Sequence, residues 1–482
     1  MNYRGVIWTI GILAAFFGVS MLLPAFVAWH YQTSLFSEFM TAGVIVSAIG
    51  LGMMRAAGKA PQSLSHRDGF LIVALAWVVL SLLGAVPFWT TGTANTVMDA
   101  LFESASGLTT TGATVFTGLD SMPPSILFWR SMEEWVGGMG IIVLAVAIMP
   151  LLGIGGMQLF RAEAPGPVKD KLTSRVTETG KILWYMYLAM TMIVAVTYWM
   201  LGMSGFDAIN HAMCTIAIGG FSTHDASMGY FDSLPLRLAA TYFMFAAGIN
   251  FTLHFASMRR GLSLDTPRTY FGDDEFRTYF KWMVLLVILV GIPTLLTSKG
   301  TWDEVLFNTV AVATTTGFAV SDYGQWPVVT SLILFASIFA GACAGSTGGG
   351  MKMIRVLLLF RQGLREVHRL IHPHAVLPIK LNGMNVSGSV VEALWGFFVL
   401  YIVCFMLIAI LVALSGVDML TALTASAACI TNTGPGFGSV GPAGNYASLP
   451  DFAKAVLMFG MVLGRLEIFT FFVLLVPEFW RK

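Results

Sequence analysis

Runs of about 20 apolar residues, each long enough to cross roughly 30 Å of hydrocarbon as a helix, recur along the whole of this 482-residue chain. They fall at 6–29, 36–54, 69–89, 126–151, 182–201, 236–258, 278–296, 328–360, 390–414 and 452–476. The bilayer core holds no water for backbone polar groups, so segments of this kind have one regular solution, the α-helix. Only 11% of the residues are charged and the mean hydropathy is +0.77. The expected fold is therefore all-α and polytopic. The first run is long and followed by others, which predicts a retained span rather than a cleaved signal peptide.

The charges sort by loop. Arg55, Lys59 and Arg67 follow the second run; Arg161, Lys169, Lys171, Arg175 and Lys181 the fourth; Arg259, Arg260, Arg268, Arg277 and Lys281 the sixth; Lys352, Arg355, Arg361, Arg365, Arg369 and Lys380 the eighth. The alternate loops are acidic, with Asp99, Glu103, Asp120, Asp207, Asp225, Asp303, Glu304, Asp322 and Asp418. The positive-inside rule then places both termini in the cytoplasm, and an outward acidic face gathers cations. Cys214, Cys343, Cys404 and Cys429 all lie in apolar segments and fit neither a disulfide framework nor a metal motif, so they read as buried packing residues.

Four related stretches interrupt the apolar pattern: LTTTGATVF at 108–116, AIGGFSTHD at 217–225, TTTGFAVSD at 314–322 and ITNTGPGFG at 430–438. Their glycines, Gly112, Gly220, Gly317 and Gly434, are separated by 108, 97 and 117 residues, each on an acidic side. Thirteen residues before them stand Asp99, Asp207, Glu304 and Thr421, residue types that begin or cap helices. Thirteen helical residues reach about 20 Å, too short to span. The chain is thus expected to be a fourfold pseudo-symmetric repeat of helix, pore helix, filter loop and helix, plus two extra N-terminal transmembrane helices. The predicted divisions are 1–60 for the added pair and 61–165, 166–262, 263–376 and 377–482 for the repeats.

A short helix dipping in from outside aims its partially negative C-terminus at the membrane centre. The following loop exposes backbone carbonyls, tolerable at that depth only along an aqueous path. Four such loops around one axis can replace the hydration shell of a monovalent cation. The candidate filter comprises Thr110, Thr111 and Gly112; Ile218, Gly219 and Gly220; Thr315, Thr316 and Gly317; and Asn432, Thr433 and Gly434. Repeat two lacks the threonines, so its quarter of the ring should be less regular.

A second irregularity is AGACAGSTGGGMK at 340–352, inside a run too long for one straight crossing. Each of its five glycines costs a helix interior about 1 kcal/mol. The expectation is a break below the filter, leaving Gly345, Ser346, Thr347, Gly348, Gly349, Gly350 and Lys352 as a loop across the path. GSTGGGMK is a near-miss to a phosphate loop, but the lysine is displaced, Met353 replaces the required hydroxyl residue, and the context is a membrane helix.

Arg465, at the middle of the last run, is costly in hydrocarbon and should face the bundle, with the broken-helix carbonyls as partners; a static pair with Glu392 or Glu467 is the alternative. Glu133 and Glu134, close after Arg130, read as an interfacial cluster with it. HRLIHPH at 368–374 lies in a basic loop and Pro373 disrupts helical ligand spacing, so it reads as solvated or partner-facing. The loops 152–181 and 259–281 are candidate docking surfaces. No nucleophile–base constellation, redox site or nucleotide-binding fold is present, so neither an enzyme nor a nucleic-acid partner is expected.

TTTGAT, AIGGFST, TTTGFA and TNTGPGFG, with GACAGSTGGGMK and LGRLE, resemble the Trk/Ktr/HKT superfamily of potassium transporters across essentially the whole chain. The N-terminal pair and LLGIGGMQLFRAEAPGP at 151–167 make its bacterial TrkH branch the best match. The resemblance implies potassium uptake across the bacterial inner membrane, K+ held by filter carbonyls, an intramembrane gating loop at 345–352, a homodimer with one pore per protomer, and a cytoplasmic TrkA-type gating ring. Any nucleotide would be bound by that ring, and this chain would need no cofactor. Glycine at all four filter positions goes with K+ preference in that superfamily. A channel-like permease is the favoured reading, and a proton- or sodium-coupled secondary transporter is the alternative.

Overall fold

The computed structural model describes all residues except 60–63, 144–171, 260–265 and 482. The motif at 151–167 and parts of both candidate docking loops lie outside them.

The helices are α1 (Tyr3–Ser20), α2 (Leu22–His30), α3 (Phe36–Ala57), α4 (His66–Thr90), α5 (Val97–Leu108), α6 (Pro124–Val143), α7 (Leu172–Met200), α8 (Gly205–Ala217), α9 (Leu234–Ala247) and α10 (Phe251–Arg259). They continue as α11 (Thr266–Phe271), α12 (Asp274–Leu296), α13 (Trp302–Ala313), α14 (Val328–Ala340), α15 (Met353–Ile371), α16 (Gly388–Leu414), α17 (Met419–Ile430), α18 (Asp451–Arg465), α19 (Phe469–Leu475) and α20 (Pro477–Trp480). A two-residue Asn382–Gly383 turn with both φ values positive joins strands β1 (Lys380–Leu381) and β2 (Met384–Asn385).

Among the described residues, six helices are long and apolar enough to cross a membrane, counting α1 and α2 as one, and two sharply bent pairs raise the number to eight. The other two expected spans have local reasons to differ. Helix α6 carries Arg130, Glu133 and Glu134, the rest of that expected span lying outside the described residues, and α14 stops after 13 residues at Gly341. The order of span, short helix, loop and span recurs four times, as α4–α5–α6, α7–α8–α9, α12–α13–α14 and α16–α17–α18. The N-terminal pair packs through small residues: a Cβ on Gly50 of α3 would lie 2.3 Å from the Ala15 nitrogen of α1.

Polarity is inverted relative to a water-soluble protein. Phe16, Met200 and Leu296 face outward, whereas Glu103, Arg130, Glu133, Glu134, Lys454 and Arg465 are buried. This suits a lipid-facing exterior around a polar interior. All four cysteines are buried and unpaired.

Two local expectations are corrected. The short helices begin earlier than predicted: the caps are Thr96, Ser204, Thr301 and Asp418, while Asp99, Asp207, Glu304 and Thr421 occupy the third helical position, where the N–H groups of Asp99, Asp207 and Thr421 bond the cap side chain and Glu304 accepts from the Thr301 N–H at 2.9 Å. Breaks are also more numerous than the one predicted at 341–352. The chain turns by 96° between α9 and α10 and by 108° between α18 and α19. Asn250 caps the first turn by accepting from Thr252 N at 2.9 Å. At the second, Glu467 and Ile468 adopt positive φ. Neither break contains proline; the first contains Gly248, and at the second the Gly464 carbonyl accepts from the Glu467 N–H at 3.1 Å.

Candidate functional site

The four short helices end alike. In α5 the Thr110 N–H bonds the Gly107 carbonyl and the Thr111 N–H the Ser106 carbonyl, a pattern repeated at Ile218 and Gly219, at Thr315 and Thr316, and at Asn432 and Thr433. This double closure is a helix C-cap that needs a left-handed residue, usually glycine. Here the position is Thr110, Ile218, Thr315 or Asn432, with φ between 52° and 67°. Left-handed backbone costs a side-chain-bearing residue about 1–2 kcal/mol. Paying that strain four times turns the chain away from the helix axis and aims the next residues inward.

Two residues on stand the glycines, with φ of 77°, 87°, 81° and 93°. A Cβ on Gly112 would lie 2.0 Å from the Gly219 oxygen, one on Gly220 2.1 Å from the Thr316 oxygen, one on Gly317 2.2 Å from the Thr433 oxygen, and one on Gly434 2.6 Å from the Thr111 oxygen. Each glycine therefore rests on the preceding-residue carbonyl of the next repeat, and the fourth returns to the first. The ring is closed. Asn432 Nδ2 ties the last junction to Thr111 Oγ1 at 3.0 Å. All four glycines line one cavity of about 90 Å³, which His224 and Tyr446 also border.

Side chains behind the ring hold it. In repeats one, three and four the threonine hydroxyls flanking the left-handed residue lie 2.7 Å apart, as Thr109 with Thr111, Thr314 with Thr316 and Thr431 with Thr433. Repeat two has Ala217 and Gly219 there, yet Ile218 and Gly220 keep the common backbone. The expected irregularity is thus one of side chains and not of chain path.

Sequence reasoning missed a brace between the loops. Glu103 accepts from Arg130 Nε at 2.7 Å and from Val115 N at 2.9 Å; Arg130 also donates to the Ser222 carbonyl at 3.0 Å and lies 4.1 Å above the Phe221 ring. This one buried pair joins the loops of repeats one and two. His211 Nε2 lies 2.9 Å from Ser222 Oγ, and Asn308 accepts from Val320 N at 3.1 Å. Glu103, His211 and Asn308 each precede their ring glycine by nine residues, a register that a comparison of the repeats could have revealed. In repeat four Thr424 accepts from Phe437 N at 2.9 Å, and Tyr446 donates to the Gly434 carbonyl at 2.7 Å.

The interfacial expectation for Glu133 and Glu134 does not hold. Arg130 turns to Glu103, while Glu133 is buried against Ser104 at 2.6 Å and Glu134 against Phe221 N at 3.2 Å. A helix puts residues 130, 133 and 134 near one another, but packing against the short helices α5 and α8 decides their partners.

The break after α14 lies where the glycine run predicts. Residues 341–352 are non-helical, with positive φ at Gly341, Gly345, Gly350 and Lys352. Thr347 Oγ1 donates to the Ile216 carbonyl at 2.8 Å, Gly349 N to Thr315 Oγ1 at 2.7 Å and Gly350 N to the Thr431 carbonyl at 2.9 Å. The loop thus touches the ends of three of the four short helices. Packing is close enough that a Cβ on Gly349 would come within 1.9 Å of the Thr431 oxygen. Ser346 closes a local turn onto Cys343 O, and Lys352 Nζ donates to the Gly348 carbonyl. Arg465 is the last residue of α18, beside a break rather than inside a continuous helix, and its Nη1 donates to the Thr347 carbonyl at 3.0 Å. Glu467 pairs with Arg355, and Glu392 is exposed, so the predicted carbonyl partner is the one found. His368 is exposed and bonds the Leu364 carbonyl of its own helix.

Residues 36–482 match the TrkH family, described as cation transport proteins. Over the full length of both chains, this one is 48% identical to the Trk system potassium uptake protein TrkH of Vibrio parahaemolyticus serotype O3:K6 (strain RIMD 2210633). It is 45% identical to that of Escherichia coli (strain K12), again with both chains wholly covered. It also resembles the crystal structure of the potassium transporter TrkH from Vibrio parahaemolyticus, with a TM-score of 0.92, 45% identity and complete coverage of both chains.

Proposed function

This chain belongs to the TrkH family of cation transport proteins, and from that premise we propose that it takes up potassium through a channel-like central pore. The observation that carries the reading is the closed ring in which each filter glycine seats the carbonyl of the next repeat. A dehydrated K+ needs several oxygen ligands at once, and backbone carbonyls held in a closed ring supply them without rearrangement. The strain at Thr110, Ile218, Thr315 and Asn432 is the local cost of turning those carbonyls inward. Chemically, the protein does no more than replace water: K+ sheds its shell at the outer cavity, binds the ring oxygens, and rehydrates beyond.

The segment 345–352 is the gate of this proposal. It lies against the inner side of the ring, and its bonds to Ile216, Thr315 and Thr431 favour a closed pathway. Arg465 reinforces it through the Thr347 carbonyl. Relatives named as components of a Trk system imply partner subunits, and a cytoplasmic TrkA-type, nucleotide-binding ring acting on a homodimer is the assembly we propose. The same reading puts the chain in the bacterial inner membrane with both termini cytoplasmic and the repeats divided at 61, 166, 263 and 377.

Reconstitution of the purified chain, with bi-ionic reversal potentials recorded with and without the partner ring, tests this. Current that follows the K+ gradient and the voltage is expected. Uptake of ⁸⁶Rb+ that requires a proton or sodium gradient even under an imposed voltage would favour the coupled carrier.

A further inference from the structure

Repeat two reaches the common filter geometry without the threonine pair that braces the others, and something else must fill that place. The hydroxyl positions are Ala217 and Gly219, yet Ile218 and Gly220 take φ of 54° and 87°, within the range of the other three repeats. A Cβ built on Gly219 would lie 2.2 Å from the carboxyl carbon of Glu134 and 2.2 Å from its Oε2. The carboxyl group occupies the volume where the other repeats carry a threonine side chain. Both of its oxygens lie 3.2 Å from the nitrogen of Phe221, the residue next to the filter glycine, and accept from its N–H. Glu134 is fully buried and belongs to α6, the closing helix of repeat one.

We propose that Glu134 is the positioning residue of the repeat-two quarter of the filter, a carboxyl group lent by the neighbouring repeat in place of the missing threonines. The proposal rests on the filter reading given above. Three observations carry it: the shared volume, the bond to the residue adjoining Gly220, and the normal backbone of a repeat that lacks its own brace. The consequence reaches the ring directly. Gly219 supplies the carbonyl on which Gly112 rests, so a loose Gly219 frees one oxygen of the ring. The absence of a side chain at 219 is equally explained, because a threonine there would overlap the carboxyl group.

The test is the K+/Na+ permeability ratio of full-length protein in bilayers, with the folded fraction measured alongside. Glu134→Met keeps the side chain's length and removes both acceptors, and it is expected to lower the ratio by about fivefold through loss of the Phe221 hydrogen bond. Glu134→Gln retains one acceptor and should stay within about twofold of the unsubstituted chain. A full ratio in folded Glu134→Met, or an equal loss in Glu134→Gln, overturns the assignment. Should Glu134→Met not fold, Glu134→Ala is compared with Glu134→Ala plus Gly219→Thr, which puts a threonine into the vacated space. Recovery of the ratio in the double variant supports the proposal, and equal ratios refute it. An unsubstituted chain without K+ preference would instead sink the filter reading, so the two failures are distinguishable.

Discussion

Gly112→Ser should weaken K+ selectivity without abolishing conduction, and the size of the effect follows from the ring. The new Cβ would be built 2.0 Å from the Gly219 oxygen and 3.1 Å from its carbonyl carbon. Carbon–oxygen contacts settle near 3.3 Å or more, so one partner must retreat by about 1 Å. The serine must also hold φ near 77°, which costs about 1–2 kcal/mol for an L-residue. A carbonyl moved by 1 Å is lost as a close ligand for K+, whereas hydrated Na+ depends less on it. If one ligand is worth as much as a hydrogen bond to a charged group, about 1.5–3 kcal/mol, the K+/Na+ permeability ratio should fall about 10- to 100-fold. Bi-ionic reversal potentials give that ratio directly. The same substitution at Gly220 or Gly317 should act similarly, and at Gly434 more mildly, since the contact there is 2.6 Å. An unchanged ratio in folded Gly112→Ser protein would falsify the ring assignment.

Arg465→Ala removes a charged donor from Thr347 O, and deletion within 344–350 removes the loop itself. Both should raise basal ⁸⁶Rb+ flux per folded molecule without the partner, the first by about tenfold or more, and a decrease in both would sink the gate reading. Arg130→Met leaves Glu103 buried and unpaired and should destabilise the fold by about 3–5 kcal/mol; Arg130→Lys should recover little, because one ammonium cannot replace the guanidinium contacts to both Glu103 and Ser222. Thermal unfolding in detergent measures both. Away from the ring, the hydrogen bond from His224 holds the Asp120 carboxyl below the usual aspartate range. A depressed carboxyl pKa contributes stability above the ordinary value that is lost as pH falls through the folded one. Acidification below the ordinary aspartate range should therefore lower the melting temperature more in the unsubstituted chain than in Asp120→Asn; parallel curves would exclude this contribution.

Much of this architecture is written in one-dimensional patterns. Apolar runs of spanning length force helices, the repeated helix-start residue and glycine set thirteen apart mark the four short helices and their loops, and clustered glycines in 341–350 mark the break before α15. These are local consequences of backbone chemistry, so they are legible without neighbours. The sharp turns at 248–250 and 466–468 were not, because neither carries the glycine cluster that announced the third; at the first the Phe251 N–H bonds the Gly345 carbonyl, and at the second Glu467 pairs with Arg355, both contacts made across the fold. Nor could the chain alone show that Gly112 rests on Gly219 and Gly434 on Thr111, since ring order is set by how the four units pack. The partners of Arg130 and Glu134 were misread for the same reason. Helical spacing made the buried acids look like the arginine's mates, whereas packing of α5 and α8 against α6 brings Glu103 to Arg130 and Glu134 to the filter loop. Buried polar groups must find partners, but only the tertiary structure decides which of those in reach they take.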